Sequence, residues 1–158
     1  MNRLLTVGCV GLVFACASIS GLGEETGAVT SRTALAFGQE ESSSVLDGVF
    51  TTAQARRGGE LYNQSCVSCH GPDFKGDEMA PSIAGDDFLV FWTEVPVGSL
   101  FERIKVSMPA DAPGRLSDEE YTDVLAYLLE ASSYPSGESE LPADKAALDQ
   151  IMIVAPAE

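Results

Sequence analysis

The residues with the most chemistry for their spacing are Cys66-Val67-Ser68-Cys69-His70. Two thiols with two residues between them fit one helical turn, and an imidazole follows at once. Such a string can serve as a disulfide redox pair, as half of a zinc site, or as a haem attachment site. In the last case each thiol adds to a haem vinyl group and the histidine ligates the iron through a ring nitrogen. Zinc needs two further ligands, and the folded region offers none from cysteine, because Cys9 and Cys16 stand in the apolar N-terminal run. His70 is the only histidine of the chain, which weakens its reading as an ordinary core histidine. The string is therefore read as the attachment site of one haem.

The elements that must position these groups are helices. Thr51-Thr52 can cap a helix over Ala53–Ser65 that delivers Cys66 at its end. Gly58 and Gly59 lie inside it and cost about 1 kcal/mol each relative to Ala, so a close helix contact must offset them. Ser117-Asp118-Glu119-Glu120 is a capping box, followed by Tyr121, Val124, Leu125 and Leu128 at helical spacing. That helix runs to Ala131 or Ser132 and stops before Tyr134-Pro135, since the residue ahead of a proline is pushed out of helical geometry. Pro142–Gln150 reads as a short last helix, with Leu148, Ile151 and Ile153 folding back onto the domain. Phe88–Val97 is the best strand candidate, although its aromatic cluster fits a short helix or loop equally well. The domain reads as all-α.

Of 158 residues, 45% are apolar and 21% charged, the range of a globular chain with room for one small domain. Asn2-Arg3 followed by apolar or small residues from Leu4 to Ile19 reads as an export signal, too short for a comfortable membrane span. Residues 1–17 are taken as that signal, with cleavage after Ala17, or lipidation at Cys16 in Val13-Phe14-Ala15-Cys16, as the alternatives. Residues 18–48 are taken as a flexible tether, 49–133 as the domain and 134–158 as an extension packing on it. With Cys9 and Cys16 in the signal, no spare thiol would mispair in an oxidising compartment. The expected location is periplasmic, soluble or tethered. The net charge of −15 disfavours nucleic acid and anionic membranes, which leaves a membrane contact only through a lipid at Cys16. It favours a redox partner with a basic docking patch, or an apolar contact, although solubility alone explains it equally well.

With these residues in view, the chain resembles a class I monohaem cytochrome c over roughly Phe50–Ser133. Gly58 with Tyr62, and Val124 with Tyr127, match the family's glycine and aromatic positions on its first and last helices. The resemblance implies helices packed around one covalently bound haem c, with the first and last crossing at Gly58. It implies Met108, in Ser107-Met108-Pro109, as the second axial ligand opposite His70. Met79 is too close to His70 in sequence for that role, and Met152 lies beyond the last core helix. It also implies that the carbonyl of Pro81, in Pro81-Ser82-Ile83-Ala84-Gly85, accepts a hydrogen bond from the proximal histidine. Trp92 and Arg103 could donate to haem propionates, but no motif places either one. An iron with both axial sites taken leaves outer-sphere electron transfer, with no catalytic side chain. The implied partners are a redox donor and acceptor such as a quinoprotein dehydrogenase or a terminal oxidase. The alternatives are a fixed subunit of a larger membrane or quinoprotein oxidoreductase, or a haem enzyme or gas sensor with a displaceable Met108.

Overall fold

The computed structural model describes residues 43–156. The export signal over residues 1–17, Cys16 and nearly all of the tether assigned to 18–48 lie outside the described residues. In chain order the elements are β1 (Ser43–Ser44), a 3-10 turn (Val45–Asp47), α1 (Thr52–Ser65), α2 (Val67–His70), α3 (Gly85–Trp92), α4 (Val97–Ser107), α5 (Asp118–Ala131), α6 (Lys145–Leu148) and β2 (Ile151–Met152). The strands are two residues each and pair in parallel, Ser43 with Ile151 and Ser44 with Met152.

The central packing is α1 against α5. Thr51 caps α1 by accepting from the Gln54 amide at 3.0 Å. The capping box of α5 is made in both directions, Glu120 N–H to Ser117 Oγ at 3.2 Å and Ser117 N–H to the Glu120 carboxylate at 2.8 Å. Gly58 explains itself here. A Cβ on it would run into the backbone carbonyl of Asp123 and stand 3.0 Å from Tyr127 Cβ, so only glycine lets the two helices approach this closely. Apolar side chains from α3, α4, α5 and α6 close the core around Phe88, Phe101, Leu125 and Leu148.

The structure decides the open reading of Phe88–Val97 for the short helix and adds two features to what the sequence showed. Phe88–Val97 is no strand. Gly85–Trp92 forms α3, which buries Phe88 and leaves Val90 and Phe91 exposed at 77% and 74%. Helix α4 was not foreseen as an element, although Val97, Leu100, Phe101 and Ile104 stand at helical spacing behind Pro96. The ordered chain also includes Ser43–Asp47 from the stretch assigned to the tether, because Val45 is fully buried and Ser44 and Asp47 form a capping box. Polar composition there hid a single apolar anchor. Among the described residues no helix is long and apolar enough to cross a membrane.

Candidate haem site

The Cys66–His70 string sits at a break between two helices. Cys66, with φ −125°, ends α1 and starts α2, and its carbonyl accepts from the amides of Cys69 at 3.2 Å and His70 at 3.0 Å. One turn therefore carries Cys66, Cys69 and His70 at positions i, i+3 and i+4, the spacing that shares a helix face. Tyr62, one turn upstream, donates its hydroxyl to the Gly71 carbonyl at 2.6 Å and so holds the far end of that turn.

The loop that follows is built to return to the histidine. Gly71 and Gly76 take positive φ, and a Cβ on Gly76 would strike the Ala80 carbonyl. The Asp77 side chain accepts from the Met79 and Ala80 amides at 2.7 and 3.0 Å, closing a tight turn. Pro81 is thereby brought back with its carbonyl 3.0 Å from His70 Nδ1. A carbonyl can only accept, so Nδ1 carries the proton and Nε2 keeps the lone pair that can bind a metal. His70 is 7% exposed, and its Nε2 has no protein partner among the described residues.

Cys66, Cys69, His70, Pro81 and Met108 all line one cavity of about 930 Å³. That volume is near the top of the roughly 300–1,000 Å³ range of ligand pockets. Its walls are mainly apolar, with Ile83, Phe88, Leu100, Ile104, Val124 and Leu128 drawn from the loop and from α3, α4 and α5. Met108 caps the end of α4, and its carbonyl accepts from the Tyr121 hydroxyl at 2.7 Å. Tyr121 thus ties the Met108 backbone to α5. Met79 also borders the cavity, but at 92% exposed it stands at the rim, and Met152 lies on β2 away from it.

Burial pushes the Cys66 thiol up to about 11, against the lowering influence of Arg115 and with Cys69 raising it further. A disulfide-exchange cysteine needs the opposite, a thiolate favoured near neutral pH. Among the described residues no three His, Cys, Asp or Glu side chains converge to hold a bare metal ion. The donor set is thus one imidazole, one thioether and two thiols around a wide apolar slot. It fits a flat, largely apolar macrocycle that brings four ligands of its own.

Residues 53–128 match the family model described as cytochrome C oxidase, cbb3-type, subunit III. Residues 53–128 are a c-type cytochrome domain. The c-type cytochrome domain carries covalently bound haem c with its iron and serves haem-based electron transfer, and its helices form the all-α class I cytochrome c fold. No curated protein and no solved structure matches the chain.

Trp92 and Arg103, which no motif placed, both border the cytochrome's cavity, and neither side chain has a hydrogen-bond partner among the described residues. Arg115 was not singled out in the sequence. It borders the cavity too and reaches from the α4–α5 connection to Ser65 Oγ at 2.9 Å. Its only local signal was being one of nine cations in an acidic chain.

Proposed function

We propose that this chain is an exported, periplasmic one-electron carrier whose haem is attached through Cys66 and Cys69 and ligated by His70 and Met108. The observation that carries this reading is that Met108 borders the same cavity as the three residues of the motif, delivered by a different helix end. The haem supplies a one-electron iron couple when bound. The rest is the work of the chain. Pro81 holds the His70 ring by its Nδ1–H, which fixes its orientation and strengthens Nε2 as a donor. Met108 offers a neutral, polarisable sulfur, a ligand that favours ferrous iron and raises the potential. The apolar walls limit water, and Arg103 offers a cation near the slot, where a haem carboxylate would otherwise need hydration. No side chain is required to move a proton.

The partners in this reading are a redox donor and an acceptor such as a terminal oxidase. A second reading, a fixed subunit of a larger membrane oxidoreductase, is favoured by the description of the matching family, which names an oxidase subunit. Purification from the native membrane separates the two, since a subunit stays in a complex and a carrier does not.

The test of ligation is spectroscopic. Ferric protein should show a thioether-to-iron absorption band, and ferrous protein should bind carbon monoxide only slowly. Prompt binding without denaturant, together with no such band, would move the chain to the gas-binding or peroxidase-like class.

A further inference from the structure

The chain beyond α5 lies outside the matched residues 53–128, and it is bound to the domain at both ends. At its start, the buried Gln54 side chain makes both of its hydrogen bonds to the Leu141 backbone, Nε2 to the carbonyl at 3.1 Å and Oε1 from the amide at 2.8 Å. Beside them Arg57 joins Glu140 at 2.9 Å, and Gly137 N–H reaches the Phe50 carbonyl at 2.7 Å. At its end, β2 pairs with β1, and Ile153 exchanges backbone bonds with the α3–α4 connection, donating to Val95 at 3.0 Å and accepting from Glu94 at 2.7 Å.

Between these anchors α6 packs directly on α4. Helix α4 has two faces with two different jobs. Leu100, Arg103, Ile104 and Ser107 border the haem cavity, and Met108 follows at the helix end. Val97 and Phe101, with Leu100 between the two faces, belong to the core shared with Leu148, Ile151 and Ile153, and Gly98 is buried as well. The approach is close enough that a Cβ on Gly98 would collide with the Asp149 carboxylate and stand 2.9 Å from its backbone nitrogen.

We propose that residues 134–156 are a positioning strap, which sets the seat of α4 through Gly98 and Leu148 and so holds the Met108 sulfur at haem-ligating distance. This rests on the reading of Met108 as a ligand. A helix with one face against the strap and the other against the haem cannot shift on one side without shifting on the other. Loosening the back face therefore raises the population in which the thioether has left the iron.

The experiment uses the haem-loaded full chain and the variants Gly98→Ala and Leu148→Ala, with Leu129→Ala as control. Leu129 is in the same core but neither on α4 nor on the cavity wall. Both variants, one on each side of the α4–strap contact, should weaken the thioether-to-iron band and speed carbon monoxide binding to the ferrous form by about tenfold or more, as the detached population grows. The control should lose thermal stability and keep the band and the binding rate within about twofold of the parent. Where Leu148→Ala does not accumulate as a haem protein, Leu148→Val carries the same readouts. A purely structural strap predicts lower Tm with an unchanged band and rate in both variants, and that result would overturn the proposal. Absence of the band from the parent protein overturns the ligation reading itself, and the strap proposal with it.

Discussion

Met108 is the residue on which the electron-carrier reading turns, because its thioether decides whether the iron has an open position. Met108→Leu keeps the volume and removes the sulfur. The expected outcome is loss of the thioether-to-iron band, fast carbon monoxide binding, and a potential lower by on the order of a quarter of the roughly 0.8 V that axial ligands span. Equilibrium redox titration of parent and variant checks it. At this scale the shared turn of Cys66, Cys69 and His70 was legible, since local spacing alone places the three on one helical turn. Pro81 and Met108 came through resemblance, and the structure shows why no local pattern could have placed them. Pro81 depends on the turn at Gly76 and Asp77, and Met108 on where α4 ends. Arg115 and the apolar wall from Leu100 and Ile104 were missed, because a cavity lining is a property of packing and leaves no spacing of its own.

Among the elements, the α1–α5 crossing is the most sensitive. Replacing a helical glycine by alanine ordinarily gains about 1 kcal/mol. At Gly58 the collision with the Asp123 carbonyl outweighs that gain, so Gly58→Ala should lose about 1–3 kcal/mol in denaturant unfolding. Gln54→Leu should cost a similar ~1–3 kcal/mol, because the Leu141 amide and carbonyl are left buried without partners. The capping box and apolar spacing made α5 legible, and the paired glycines of α1 announced a close contact before the partner was known. Helix α4 was harder to see, since its apolar stripe begins at Val97, the last residue of the strand candidate Phe88–Val97, and its preceding Pro96 reads equally as a turn. The short strands could not be seen at all, because two residues on each side carry no period. Arg57 bridges the elements electrostatically. It binds Asp123 at 2.8 Å and Glu140 at 2.9 Å, and that bond holds the Glu140 carboxyl below its ordinary value. A depressed carboxylate contributes stability above its unfolded-state pKa and loses it as pH falls through the folded one. Acid unfolding of Glu140→Gln should accordingly show a shallower loss of stability below the ordinary carboxylate range than the parent, with the two curves parallel at neutral pH.

For the whole molecule, charge and apolar surface act at different distances. The chain carries −15 overall, whereas the cavity rim holds Arg103, Arg115 and Asp111 beside the exposed Met79 and Phe91. In the electron-carrier reading, long-range attraction would favour a partner of net positive charge, and the final contact would be largely apolar. Electron exchange with the native partner should slow as salt is added, and a flat or rising rate would leave the charge to solubility alone. Everything at this scale presupposes haem joined to the chain at the motif. The most direct test is the mass of the peptide spanning Cys66–His70 from chain matured in a host with haem-attachment machinery. The account predicts that peptide heavier by one haem, with both thiols inert to alkylation. A peptide of unmodified mass with two alkylable thiols would contradict it.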